Sequence, residues 1–186
     1  VQVHEDGAFR LTVVSDTHSK PHERAYEAIA ESQPNVILHA GDIGDVRVLD
    51  DLATIAQVFA VRGNIDQRLP GIPDVFVIEL AVTNDVILRL MMLHVGVYGP
   101  RLRAEVTRMA RVEKASIVVC GHSHVPFIGR ERELTVFNPG SIGPRRFGLP
   151  IVFGTLDVSR REVSMRHIDC ETGLLWEPPG SPGDVT

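Results

Sequence analysis

Five short apolar runs in this chain each end at residues that can hold a metal ion or move a proton. "LTVVS" leads into Asp16 and His18, "VILHA" into Gly41-Asp42, and "VFAVR" into Gly63-Asn64. "LRLMML" is followed by His94, and "SIVVC" by Gly121, His122 and His124. Short, continuous, β-branched runs bounded by turn signals read as buried strands. In open α/β sheets, sites form in the crevice beyond the carboxyl ends of the strands. Five such strands in one sheet would gather Asp16, His18, Asp42, Asn64, His94, His122 and His124 at one edge.

The spaces between the runs say how the strands are joined. Strands over 9–15, 35–40 and 58–62 alternate with helices over 22–32 and 45–56. Pro21 opens the first helix and Pro34 closes it; Asp45 is a candidate N-cap for the second. Val46, Leu49, Leu52, Ala53 and Ala56 mark the second helix's apolar face. This alternation predicts βαβ units and a parallel sheet. "DVFVIELAV" and "DVILRLMMLH" flank "TND" as a hairpin, and a helix is expected over 101–114. The later runs "VPFIGRER", "LTVFN", "PIVFGTLDV" and "REVSMRHI" are strand-like and joined by short turns, which favours antiparallel pairing. The predicted fold is α/β, with two mixed sheets packed face to face and helices outside. One domain over 1–170 is expected, with a flexible tail over 171–186 that contains "WEPPGSPGDVT".

A net charge of −5 argues against broad, non-specific binding to nucleic acid or an acidic membrane surface. Arg101, Arg103, Arg108 and Arg111 read as the solvated face of a helix rather than a basic patch. Only two cysteines, Cys120 and Cys170, are present, without a CxxC pair. A reducing compartment, the cytoplasm, is therefore expected. No apolar stretch approaches the roughly 20 residues of a membrane helix.

Chemistry narrows the candidate site. Residues at i and i+2 of an extended chain point to the same side, so Asp16 with His18, and His122 with His124, are each expected to converge. The glycines before Asp42, Asn64 and His122 are expected to permit tight turns. Seven ligands exceed what one zinc ion takes and suit two ions sharing a carboxylate. Carboxylate, imidazole and amide donors without thiolate fit Mn, Fe, Zn, Co or Ni at an open catalytic site. Two divalent cations against Asp16 and Asp42 leave a positive balance, which favours hydroxide and a phosphate.

D-x-H, GD, GN, H and GHxH, in this order, resemble the motifs of the calcineurin-like metallophosphoesterases. The short chain and "NPGSIGPRR" at 138–146 are most similar to the single-domain bacterial and archaeal phosphodiesterases. The resemblance covers roughly residues 9–170 and implies a four-layer αββα sandwich. It also implies one divalent ion on Asp16, His18, Asp42 and His124, and a second on Asp42, Asn64, His94 and His122. Asp42 would bridge them. Asp42, Asn64 and His94 would act in catalysis through the ions, by in-line attack of a metal-generated hydroxide on phosphorus. Asn138, Ser141 and Arg145 are candidate substrate contacts.

Many members of that family carry a histidine after the GN asparagine, which protonates the leaving group. Here that position is Ile65, which cannot transfer a proton, so phosphodiesters with good leaving groups are favoured over monoesters. "HVG" at 94–96 replaces a His-Gly pair, and Asp66 is expected to support Asn64. His4, His22, His39 and His167 read as structural, and Cys120 as a small buried hydrophobe. The expected partner is a small phosphodiester or nucleotide-like substrate, with no membrane; a homo-oligomer is left open. Two other functions compete. One is a protein-binding scaffold resembling the small subunit of the retromer coat, a relative in which a bulky side chain replaces a metal-site histidine. The other is a nuclease, disfavoured by the acidic balance and the lack of a capping domain.

Overall fold

The structure is a computed structural model that describes residues 1, 9–99, 101–160 and 162–179. His4 and the last seven residues lie outside the described residues. The first half alternates as expected: β1 (Phe9–Val14), α1 (Ala25–Glu31), β2 (Val36–His39), α2 (Arg47–Ala53) and β3 (Gln57–Ala60). The hairpin β4 (Val75–Val82) and β5 (Asp85–Leu93) follows, then the two-residue pair β6 (Val97–Tyr98) and β7 (Arg101–Leu102). After α3 (Ala104–Val112) come β8 (Ile117–Val119), β9 (Phe127–Glu131), β10 (Leu134–Asn138), β11 (Val152–Val158), β12 (Val163–Asp169) and β13 (Leu175–Trp176).

Two mixed sheets result, ordered β13-β12-β11-β1-β2-β3 and β4-β5-β8-β10-β9. β1, β2 and β3 are mutually parallel, as are β5, β8 and β10. Strand alternation explains the layers. Leu11, Val13, Val36 and Leu38 of the first sheet meet Leu90, Met92, Val119 and Phe137 of the second in one buried core. Val14, Ile37 and Phe153 point the other way, onto Ala25, Ile29, Val48 and Leu52 of α1 and α2. Met91, Leu93 and Val118 likewise pack on Val106 and Ala110 of α3. The architecture is an αββα sandwich, as the sequence predicts.

Four local expectations change. The five ligand-bearing strands do not share one sheet: β1, β2 and β3 belong to the first, β5 and β8 to the second. β2 and β8 are buried on both faces, as are the ends of β1 and β5 that carry the ligands, so apolar pattern alone could not assign them to a sheet. α2 begins at Arg47, which leaves Val46 as the exposed N-cap and puts Val48 in the core instead. Asp45 lies outside the helix and accepts a hydrogen bond from Arg47 N–H (3.0 Å). Finally, Leu175–Trp176 falls in the segment expected to be a tail, yet it pairs with β12. The Trp176 ring meets buried His167 edge-on at 5.8 Å, an anchor that the Pro/Gly-rich composition conceals.

Candidate metal centre

The ligand-bearing turns are laced together across the gap between the sheets. Asp16 N–H donates to Gly41 O (2.9 Å), His18 N–H to Asp42 O (3.0 Å) and Ser19 N–H to Ile43 O (2.9 Å), joining the turns after β1 and β2. Gly121 N–H donates to His94 O (3.0 Å), joining the ends of β8 and β5. His122 N–H donates to Asp16 Oδ2 (3.0 Å), and that bond crosses from one sheet to the other.

Side-chain direction comes from left-handed turns rather than from extended chain. Asp16, His18, Asp42, His122 and His124 all have φ between 45° and 69°. For a residue with a Cβ this region costs about 1–2 kcal/mol, so five instances at one site mark strain held by the surroundings. The i, i+2 expectation holds for one pair and not for the other. Asp16 and His18 do face one region, but His122 and His124 part to different clusters. The glycines also act differently from each other. Gly41 supplies a left-handed turn at φ +93°, whereas Gly63 and Gly121 permit close approach. A Cβ on Gly63 would lie 2.0 Å from Asp42 N, and one on Gly121 1.9 Å from Ser15 Oγ.

Two clusters form. Asp16, His18 and His124 offer ligand atoms within 4.8 Å of one another, as do Asp42, His94 and His122. His124 Nε2 is 3.3 Å from both Asp16 Oδ1 and His18 Nε2. His94 Nε2 is 3.2 Å from Asp42 Oδ1, while Asp42 Oδ2 is 3.8 Å from His18 Nε2. Asp42 thus stands between the clusters with one oxygen toward each. Asn64 is exposed, beside His94 on the wall of an open cavity of about 320 Å³.

The donor set fits cations. Asp16 Oδ1, His94 Nε2 and His124 Nδ1 are buried without a hydrogen-bond partner, an arrangement that is costly unless something else satisfies them. His94 Nδ1 is 2.7 Å from Ala40 O, which fixes the ring with Nε2 turned toward Asp42. Burial pushes the Asp16 carboxyl up to about 6, against the opposing pull of His94. Burial would also raise Asp42, but the His94 contact, Ile65 N–H and His18 outweigh it and hold that carboxyl well below the usual range. Burial lowers His18, His122 and His124, the last to about 4, which leaves neutral imidazoles. For His94 burial is outweighed by Asp42 and Asp16, and its pKa rises.

The other expected site residues serve different ends. Asn138 is buried; its Nδ2 donates to Gly121 O (2.8 Å) and Ser123 Oγ (3.1 Å), and its Oδ1 accepts from Gly140 N–H (2.9 Å). It braces the His122–His124 loop rather than facing a substrate. Ser141 Oγ donates to Asp16 O (3.0 Å) and accepts from Gly143 N–H (3.1 Å), so it too is engaged within the protein. Arg145 is turned toward Leu149 O (2.8 Å) and Glu171, while its neighbour Arg146 carries the charge that reaches His18 and His124. Nothing in the sequence separates two adjacent arginines. The Asp66 carboxylate, expected to support Asn64, instead accepts from Ile43, Gly44 and Gly63 N–H, at 3.1, 2.8 and 2.8 Å, and clamps the β2 and β3 turns together. His39 is buried, with Nε2 at 3.0 Å from Thr17 Oγ1. His167 Nε2 is 2.7 Å from Asn138 O, and Cys120 is fully buried, its thiol pushed up to about 12 by burial.

Comparison with known proteins agrees with this arrangement. Residues 9–161 match the calcineurin-like phosphoesterase superfamily domain. The chain belongs to that superfamily. A probable metallophosphoesterase of Methanocaldococcus jannaschii is 33% identical over 141 residues, covering 73% of this chain and 69% of that protein. The phosphodiesterase YfcE of Escherichia coli is 27% identical over 170 residues, covering 80% of this chain and 87% of the relative. In structure, vacuolar protein sorting 29 of Cryptosporidium parvum has a TM-score of 0.73 at 17% identity, over 91% of this chain and 95% of that one. At that identity, this superfamily member and the sorting protein share a fold and nothing further is implied.

Proposed function

We propose that this chain is a dinuclear-metal-dependent phosphoesterase that hydrolyses phosphodiester bonds, similar to the small single-domain bacterial and archaeal members. The observation that carries the reading is the position of Asp42, with one carboxylate oxygen toward each of two ligand clusters. Asp16, His18, Asp42 and His124 would hold one divalent ion, and Asp42, Asn64, His94 and His122 the other. Mn, Fe, Zn, Ni and Co all suit these donors. When bound, two such ions lower the pKa of water toward ~7 and offset charge on the phosphoryl oxygens.

The chain's own residues prepare that site. Ala40 O orients His94, and neutral His18, His122 and His124 present lone pairs without first losing a proton. The cavity beside Asn64 and His94, about 320 Å³, suits a small phosphodiester or nucleotide-like substrate. Ile65 is half-exposed at the position where a general acid would stand. With no proton donor there, esters whose leaving groups depart unaided are favoured, hence diesters with good leaving groups over alkyl monoesters.

Metal-stripped protein should gain hydrolysis of an aryl phosphodiester when Mn²⁺ is added, and Asp42→Ala should lose it. Stoichiometric metal binding without turnover of any diester or monoester would replace this reading with a scaffold role. Among the described residues no helix is long and apolar enough to cross a membrane. The expected cytoplasmic location is retained as part of this proposal.

A further inference from the structure

Ile65 joins the carboxylate of Asp42 to a second cavity. Its N–H donates to Asp42 Oδ1 (3.2 Å), and its exposed side chain lines an open cavity of about 530 Å³. Asn64, one residue earlier, lines the other cavity, beside His94. Adjacent residues at the metal centre thus open onto two different cavities.

The wall of this second cavity is largely apolar. Ile43 and Val46 come from the segment between β2 and α2, and Ile65, Leu69 and Ile72 from the loop between β3 and β4. Val46, Ile65 and Leu69 are 43%, 51% and 39% exposed. Single exposed apolar side chains are ordinary, whereas three on one concavity mark a binding surface.

The charged residues of the wall are already engaged. The Asp66 carboxylate accepts from Ile43, Gly44 and Gly63 N–H, and Asp45 accepts from Arg47 N–H (3.0 Å) and Nε–H (2.9 Å). No cation lines the cavity, so an anionic group there would face carboxylates without a partner of its own. A neutral, apolar group fits instead. The Asp66 bonds also tie the two wall segments together, which forms the cavity before any ligand arrives.

We propose that this cavity is a subsite for an uncharged, apolar substituent of the phosphate ester, an aryl or alkyl group. The phosphate sits at the metal centre, and the substituent passes Ile65 into contact with Val46 and Leu69. The proposal rests on the phosphodiesterase reading above and narrows its substrate class to esters with one apolar arm. Each methylene buried against such a wall strengthens binding by about fourfold.

Alkylphosphonates, whose C–P bond replaces the ester bond, test the subsite without turnover. The probes are methyl-, butyl- and 2-carboxyethylphosphonate, measured by calorimetric binding to Mn²⁺-loaded protein. Affinity should rise about 10- to 60-fold from methyl- to butylphosphonate. The carboxyethyl compound should bind no better than the methyl one. Leu69→Ser and Val46→Ser should each reduce the gain several-fold, with methylphosphonate affinity and metal stoichiometry unchanged, and Leu69→Met should preserve it. A gain below about twofold in the wild-type chain overturns the subsite, as does an undiminished gain in both serine variants, even if diesters are hydrolysed. A flat series with self-association that Leu69→Ser abolishes would give this face to a second copy of the chain instead. The expected gain without hydrolysis of any diester would leave the subsite standing and remove the phosphodiesterase reading.

Discussion

Asp42 Oδ1 lies 3.2 Å from His94 Nε2, a contact that bridges the two sheets at their shared edge. Asp42 follows β2 of the first sheet, and His94 follows β5 of the second. The same carboxylate turns its other oxygen toward His18, at 3.8 Å. One side chain therefore couples two sheets and two ligand clusters.

Asp42→Ala is expected to lower metal content from two ions toward zero, because each cluster loses an oxygen and His94 loses its partner. The effect on affinity should exceed the about 10- to 100-fold typical of an outer-sphere change. Elemental analysis after dialysis against limiting Mn²⁺ reads it. Retention of both ions by this variant would refute the shared role of Asp42.

Gly63→Ala tests close approach rather than turn geometry. The added Cβ would meet Asp42 N at 2.0 Å, and a backbone atom cannot move aside as a side-chain end can. We expect destabilisation of about 1–3 kcal/mol, together with loss of the second ion. Denaturant midpoints and metal titration measure the two effects. Gly148→Ala meets nothing within 4 Å, so its cost should be confined to the backbone at φ +71°.

The strands and the ligand types at their ends were legible in the sequence because both are local properties. Val36, Ile37 and Leu38 read as a buried strand whichever sheet receives them. The division of strands between sheets was not legible, since it depends on which core face each residue meets. Left-handed backbone at Asp16 and His124 was equally hidden: neither residue is glycine, and the surrounding hydrogen bonds impose the conformation. Asn138 looked like simple turn chemistry because its partner, Gly121 O, lies 17 positions earlier in the chain.

Asn138→Ala should loosen the His122–His124 loop. It removes one donor to Gly121 O, which keeps Ser123 N–H (2.8 Å), and leaves the buried Gly140 N–H without its acceptor, at about 1–3 kcal/mol. Because the loop supplies one histidine to each cluster, affinity for both ions should fall by about 10- to 100-fold. Titration of the two sites separates this from a general loss of stability, which would not weaken metal binding in the folded population. Equal affinity in the variant and the parent would sink the bracing role.

Ile65→His places a proton donor where the leaving group departs. Monoester hydrolysis should rise, by at most the roughly 10²- to 10⁴-fold that general acid catalysis supplies, while aryl diester hydrolysis changes little. The ratio of kcat/KM for an alkyl monoester and an aryl diester is the measurement. An unchanged ratio would mean that residue 65 does not face the leaving group.

The pH dependence of metal binding follows from the two raised groups in the centre. Asp16, lifted to about 6 by burial, and His94, raised mainly by Asp42 and Asp16 against burial, must each give up a proton before they can ligate. In the metal-free protein the raised Asp16 favours the neutral acid. Its contribution to stability is complete below the unfolded value of 3.8 and is lost as pH rises through about 6. Metal binding has the opposite sign, because it needs the carboxylate and strengthens over that same window. His18, His122 and His124 are lowered by burial, so they hold fewer protons there than ordinary imidazoles and release correspondingly less. Calorimetry of Mn²⁺ binding in two buffers of different ionisation enthalpy should therefore show proton release at about pH 5.5 that declines as pH rises past the raised values of Asp16 and then His94. Absence of release at the lower pH would place the Asp16 proton elsewhere.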